Sequence, residues 1–556
     1  MSKQVLIINI TRMGDLVQTI PLLARLNHEW PGVAIDLIVD QSFASMAALL
    51  PGLRHVHAYD FQRLTDHCRT MATDVVTLYQ EMSAWTRPLI ETKYDRVVNL
   101  TFNRRSGLLA SHIGAPDIRG VTTTSDGVSI IHNSWMTYFA DMHRHRRFNR
   151  FNLVDLYALG GSGPGPYAPL RMSLLPSSIE WAGRFLAAAN PRERVPIAIQ
   201  IGASDAIKAW RPEYFGRTMA ALSRHVKATF VLIGSKGEAE SVQLALATYR
   251  SAGGMAEIHD AVGKTDMPQL AALLAQCRLL LTNDTGPMHI AIGVGTPVID
   301  LSVGHVDFNE TGPYGKGHWV VQPDLGCAPC GFDQVCPHHA CKDRLVPDQV
   351  AALCRHAVGL GPFPEFMTGV RLYESDVDGD GLGCYRMRAG HMDQASDWYG
   401  RFWRLYWYDA FTSDASAMSM EAPPPDFADQ ALLFRRLDPL ITRLVKRTAD
   451  LVRFTKRNPL PIETLKSAQA EVAEVRLQAL DMTMPSPAFG PTTVALLREL
   501  QNGDGMELSM MAEQQATAYR TWGHRVKSVM DRLDTLQKMQ SKRRVSRADE
   551  VPLLMP

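Results

Sequence analysis

The chain opens as short apolar runs divided by polar turns and amphipathic stretches. "QVLIINI" (4–10) suits a buried strand, "TRMGD" (11–15) a turn, "LVQTIPLLARLNHEW" (16–30) a helix and "AIDLIVD" (34–40) a second strand. Together they predict a βαβ unit. Pro21 inside the helical pattern demands either a kink or a helix start near Thr19, and the sequence leaves both open. A further strand is expected at "DRVVNLTF" (95–102), running into a basic turn of Asn103, Arg104 and Arg105. The glycines and prolines of "GGSGPGPYAP" (160–169) break any periodic element and mark a boundary.

A second alternation follows. "VPIAIQIG" (195–202) and "ATFVLIG" (228–234) read as strands, "RPEYFGRTMAALSRHV" (211–226) as the helix between them, and "LTNDTGPMHIAIGVGTPVIDL" (281–301) as strand, turn, helix and strand. Two parallel-sheet domains are expected, 1–170 and 171–362, with a cleft between them and ligands at the carboxyl ends of the strands. Past about residue 365 the alternation stops. "DFADQALLFRRLDPLITRLVKRTADLVRF" (426–454), "IETLKSAQAEVAEVRLQAL" (462–480) and the stretch 506–544 are helical in pattern, so 363–556 is expected to be a mostly helical extension. "WYGRFWRLYWY" (398–408) holds seven aromatics, a face too apolar to stay wet and so expected to pack on the other domains.

Composition narrows the classes. A chain of 556 residues exceeds one core and suggests two to four domains. Its net charge of +1 offers no global field for nucleic acid, so an anion must be met locally. No 18 consecutive residues are apolar, and the N-terminal run is broken by Asn9, Thr11 and Arg12, so a cytoplasmic protein is expected, with contact at the inner membrane surface left open.

The turns after the strands carry the candidate chemistry. Asp15, preceded by Gly14, is either a helix cap or a general base at the cleft. Gly202 with Lys208 is either a phosphate cradle or a glycine turn near a solvated lysine. Gly234 with Glu238 offers a carboxylate for ribose hydroxyls or for a helix start. Asp284, Thr285 and Gly286 open a helix whose free amides and dipole suit phosphate, with His289 one turn on as ligand contact or packed core residue. Three turns of one half-sheet would hold a diphosphate-linked nucleoside better than any one of them.

"INITRMGDLVQTIPLLARL", "IGASDAIKAWRPEYF" and "LTNDTGPMHIAIGVGTPVIDL", in that order, together with "TGPYG" and its cysteine-rich tail, resemble glycosyltransferase family 9, the bacterial heptosyltransferases, over residues 1 to 360. The resemblance implies the GT-B fold, two Rossmann-like domains facing a cleft. It implies Asp15 as catalytic carboxylate, Lys208 on the donor phosphates, Glu238 on the ribose, and Asp284, Thr285, Gly286 and His289 in the donor loop. The donor it implies is ADP-heptose, and the acceptor a lipopolysaccharide inner core. Inversion at the anomeric carbon then needs no metal, because lysine and helix dipole meet the leaving group's charge.

Other features are less tied to that reaction. Cys327, Cys330, Cys336 and Cys341 could surround a structural zinc or iron ion, or form a loop of free thiols. The resemblance includes an iron-bound branch that modifies autotransporter proteins with heptose. Arg104 and Arg105 offer charge to an anionic acceptor, whereas "HRHRRFNRFN" (143–152) reads first as a solvated face and second as a contact for acidic lipid. "ESDVDGDGLGCYRM" (374–387) opens like a calcium loop at Asp376, Asp378, Asp380 and Gly381, but the twelfth position counted from Asp376 is Met387, so a turn is expected. The final helix, ending in "KMQSKRRVSR", offers a surface for a protein partner or a homo-oligomer. Alternatives to lipopolysaccharide heptosyl transfer are protein O-heptosyl transfer, sugar-nucleotide epimerisation, and a scaffold acting through its helical extension.

Overall fold

The computed structural model describes residues 2–70, 74–187, 194–332, 334–365, 367–391, 394–412, 415–420, 423–502 and 507–549. The chain divides into two compact units, one of residues 1–121 and 151–392, the other of 122–150 and 393–556.

The first unit has two α/β lobes, each built on one mainly parallel sheet. The strands of its first lobe are β1 (Gln4–Ile8), β2 (Ala34–Asp40), β3 (Leu53–Tyr59), β4 (Arg96–Asn99) and β5 (Asp117–Thr123), while β6 (Ser129–His132) falls in the residues assigned to the other unit. Order in this sheet is β3-β2-β1-β4-β5-β6, with β3 to β5 parallel. The second lobe holds β7 (Val195–Gln200), β8 (Ala228–Ile233), β9 (Glu257–Asp260), β10 (Leu279–Asn283), β11 (Val298–Leu301), β12 (Trp319–Pro323), β13 (Val370–Val377) and β14 (Gly383–Ala389). Their order is β14-β13-β12-β11-β10-β7-β8-β9, parallel from β12 to β9. Buried on both faces, the central parallel strands such as β1, β2, β7, β8 and β10 are near-continuous apolar runs, which is why they are readable in sequence, whereas the edge strands β3 and β9 are partly exposed and polar. Both positions offered for the first helix are used: Met13–Gln18 ends at Thr19, and Ile20–Glu29 starts there with Pro21 in its first turn.

The boundary expected at 362 is displaced. β13 and β14 pair antiparallel with β12 and each other, so the second sheet continues to residue 389. The calcium-like stretch is their hairpin turn, in which Asp378 Oδ1 accepts from the amides of Asp380 and Leu382. No described helix is long and apolar enough to cross a membrane.

The second unit is built on the helices Gln394–Phe411, Phe427–Thr455, Ile462–Thr483, Gly490–Gln501 and Leu508–Asp549. Tyr399, Trp403 and Trp407 are buried in it, and the Trp403 indole donates to the Pro487 carbonyl at 2.8 Å. The partners of this aromatic face include Trp135, Tyr138 and His145, from the excursion at 122–150. The basic run at 143–152 is accordingly no solvated face throughout. His145 is buried against Tyr138, their rings stacked 4.7 Å apart, Phe148 lies against Tyr399, and Arg150 pairs with Asp397 at 3.3 Å.

Candidate active site

In a parallel sheet every strand ends at the same edge, and the polar turns identified in the sequence collect there. After β1 the chain turns into the helix Met13–Gln18, whose N-cap is Arg12, and Asp15 sits in the first turn instead of capping it. Asp15 Oδ2 accepts from Thr11 Oγ1 at 3.1 Å, while its carbonyl accepts from Asn9 Nδ2 at 3.1 Å and Thr19 Oγ1 at 2.9 Å, which fixes the turn. Burial raises the Asp15 carboxyl above its ordinary range, and Arg12 and the Thr11 hydroxyl reverse only part of that.

The neighbouring glycine explains how this turn meets the second lobe. A Cβ at Gly14 would lie 3.1 Å from His289 Cδ2 and 3.7 Å from Gly286 Cα, and one at Gly286 would meet the Met13 side chain. Two glycines therefore let the turn after β1 abut the helix Gly286–Gly293. Gln18 Nε2 donates to His289 Nε2 at 3.3 Å across the same contact. His289 is buried, and burial pushes its pKa down to about 4, so near neutrality it is the uncharged imidazole that accepts this bond.

The second lobe's turns interlock. Asn283, at the end of β10, accepts from the Trp210 amide at 2.9 Å and donates to the carbonyls of Ile201 at 2.9 Å and Gly202 at 3.1 Å. Lys208 closes the short 3-10 turn Ala206–Lys208, and its Nζ donates to the Asp284 carbonyl at 3.1 Å. The Asp284 carboxylate accepts from Thr311 Oγ1 at 2.5 Å. Thr285 is the N-cap of Gly286–Gly293, but its side chain caps no helix amide and donates instead to the Asn283 carbonyl at 3.2 Å. A lysine ammonium and a helix start thus share one edge. Beside them Glu238 forms a capping box with Ser235 and accepts from Gln200 Nε2 at 2.7 Å, so it serves its helix start. A Cβ on Gly202 or Gly234 would collide with its carboxylate.

The remaining candidates lie apart from this group. Arg104 and Arg105 open the helix Arg104–Ile113 after β4, at the same edge of the first sheet as Asp15, and Arg105 donates to the Phe61 carbonyl at 3.0 Å. Of the cysteines, Cys330 and Cys341 are buried and Cys327 is exposed, while Cys336 Sγ accepts from the His339 amide at 3.3 Å. Among the described residues no three of these thiols and the adjacent histidines bring their ligand atoms together at one point. The described group that does converge is Asp36 with His55 and His57, and there Arg54 already holds the Asp36 carboxylate with bonds of 2.9 and 2.7 Å. Sequence reasoning passed over Gln18, Asn283, Thr311 and Asp300. For Asp300 a signal existed, an ionisable residue inside the apolar strand "VIDL".

Residues 82–340 match the family described as Glycosyltransferase family 9 (heptosyltransferase). Lipopolysaccharide heptosyltransferase 1 of Pseudomonas aeruginosa is 22% identical over 331 residues, 59% of this chain and 86% of that protein. Lipooligosaccharide heptosyltransferase 2 of a Campylobacter jejuni strain is 30% identical over 147 residues, 26% of this chain, which spans 45% of that relative's length. Among solved structures, ADP-heptose lps heptosyltransferase II of E. coli superposes with a TM-score of 0.48 at 17% identity, covering 64% of this chain and 98% of that one.

Proposed function

We propose that this chain, which belongs to glycosyltransferase family 9, is an inverting enzyme that moves a heptose from ADP-heptose to a hydroxyl of the lipopolysaccharide inner core. One observation carries the reading: Gly14, beside the raised-pKa Asp15, lies against Gly286 and His289 at the start of the second lobe's uncapped helix. A base and an anion seat then flank one cleft.

Asp15 takes the proton of the acceptor hydroxyl as its oxygen attacks the anomeric carbon from the side opposite ADP, and the carbon inverts. A carboxyl raised by burial is the better base near neutrality. Lys208, now resting on the Asp284 carbonyl, turns to the diphosphate, and the helix-start amides at Thr285 and Gly286 share the charge that grows on the leaving group. Glu238 keeps lone pairs for ribose hydroxyls beside its capping bonds. With lysine and helix dipole supplying the positive charge, the step is proposed without a metal. Arg104 and Arg105 meet an anionic acceptor at the Asp15 edge. The names of the matched relatives support heptose and lipopolysaccharide.

A protein hydroxyl is the second acceptor considered, because the helical segment from 393 onward lies outside the matched region. The test is incubation with ADP-heptose and, separately, a truncated lipopolysaccharide core or a serine-rich protein, read by mass spectrometry. A heptose mass on the core, lost in Asp15→Ala, is expected. Mass on the protein alone would replace the acceptor, and ADP release equal with and without acceptor would end the transferase reading.

A further inference from the structure

Asp300 is the one charged residue of β11, and its neighbours Ile299 and Leu301 both point into the main core of the second lobe. It is completely buried, and neither carboxylate oxygen has a hydrogen-bond partner. In register it stands across from Thr282 of β10 and Val320 of β12, on the sheet face opposite Ile299. Two residues beyond Thr282, on the same alternation, comes Asp284, the residue whose carbonyl holds Lys208. The charged and titratable groups whose fields meet at Asp300 are Asp284, Lys208 and, from β14, the buried Tyr385.

A buried carboxylate with no hydrogen bond costs several kcal/mol or more, so such a group keeps its proton instead. Burial first, and then the negative Asp284, push Asp300 well above the ordinary carboxylate range, while Lys208 pulls the other way. We infer that Asp300 is a positioning residue beneath the donor loop, a neutral carboxylic acid that leaves Asp284 the single negative charge there and so keeps Lys208 free to bind a nucleoside diphosphate. The inference rests on the donor reading above.

If Asp300 loses its proton, a second negative charge arises under the lysine and repels the diphosphate. Asparagine has nearly the same shape and cannot ionise. The experiment compares the full chain with its Asp300→Asn variant, titrating ADP by calorimetry from about pH 7 to about pH 9.5, the span in which buried acids are known to titrate. Wild-type affinity is expected to fall about tenfold or more, and the variant's to stay within about twofold, since one unit of differential ionisation is a factor of ten. Thermal unfolding without ADP is the second readout. A carboxyl whose folded pKa is raised holds its proton after the unfolded chain has lost its own, so wild-type stability falls as pH rises above about 4, and the variant's melting temperature is expected to pull further ahead with pH.

A melting gap that does not widen overturns the neutral acid. A widening gap with the same alkaline loss of ADP affinity in both proteins overturns the positioning role and leaves the donor reading standing. Failure of both proteins to bind ADP at any pH overturns the donor reading and this inference with it.

Discussion

The two units leave their unmatched buried polar atoms in different places. In the helical unit, where Tyr399 donates to Asp426 at 2.6 Å, the Trp522 indole donates to Thr492 at 3.2 Å and Arg498 holds Asp141 with two bonds of 2.6 Å, those atoms lie along helices, as at Trp407 Nε1 and Gln514 Oε1. At the strand ends of the α/β unit the matching is incomplete. Both Asp300 oxygens, His289 Nδ1 and Gln200 Oε1 are buried without partners. Unmatched buried groups destabilise a fold, and they persist where a ligand or a reaction uses them. The groups left unmatched at the strand ends border the residues proposed to act on the donor: Gln200 donates to Glu238, and His289 lies against Gly14.

The sharpest way to break that contrast is at Asp15. Asp15→Asn keeps shape and removes the base, so transfer is expected to fall by about 10²- to 10⁴-fold, the usual range for losing a general base. ADP affinity is expected to change little, because the groups proposed to hold the diphosphate lie on the other lobe. Steady-state kinetics beside calorimetry checks both, and transfer within threefold of wild type would remove Asp15 from the mechanism.

Trp403 makes the opposite case. It is buried between Phe402, Tyr406 and Trp407, with ring centroids 5.1 to 5.4 Å away. Trp403→Ala is expected to cost the helical unit about 3–5 kcal/mol, the range for deleting a buried aromatic. Circular dichroism during heating should show the loss, while the initial rate of transfer well below the transition stays near wild type. A rate that falls with stability intact would mean that this unit takes part in the chemistry.

Lys208→Ala should weaken ADP binding by about 10- to 100-fold, since a charge-assisted bond to a diphosphate is worth about 1.5–3 kcal/mol. The Asp284 carbonyl loses one bond that is only partly buried, so melting temperature is expected to hold. Unchanged affinity would send Lys208 back to its alternative reading as a solvated lysine.

Much of this was legible in advance, and the reasons differ by region. The central parallel strands announce themselves because burial on both faces leaves runs such as "ATFVLI" with almost no polar residue, whereas β3, "LRHVHAY", and β9, "EIHD", are partly exposed edge strands whose polar residues hid them. β13 and β14, "VRLYESDV" and "GCYRMRA", mix polar and apolar residues in an antiparallel hairpin at the end of the sheet, and that mixture hid them in an apparently helical region. The excursion at 122–150 was unreadable for another cause: its partners Tyr399 and Trp407 lie some 250 residues onward, and no local pattern encodes so distant a contact. At the candidate site, residue type and position after a strand pointed to Gly14, Asp15, Lys208 and Asp284. Sequence could not show that Gly14 lies against His289, nor that Asp300 lacks a partner, because both depend on which elements become neighbours.

His145 sharpens the comparison from the helical side. Its ring stacks on Tyr138 and touches Trp407 edge-on, and burial pushes its pKa down to about 4, with the nearby Asp141 opposing. The folded value lies below the unfolded one of about 6.5, so the unfolded chain takes up the proton first as pH falls. Stability is therefore complete above about pH 6.5 and is lost progressively toward about pH 4. At pH 5 the loss is about 2 kcal/mol, from about 1.4 kcal/mol for each unit of the interval already crossed. His289, in the other unit, has a lowered pKa as well, so the melting curve of the wild type alone cannot assign the effect. His145→Gln removes one titrating ring and should flatten the acid dependence of the helical transition while ADP binding at pH 7 stays the same. An acid dependence unchanged by that substitution would move the sensitivity to the other histidines whose pKa burial lowers, His289 and His318 in the α/β unit and His132 and His143 in the helical one.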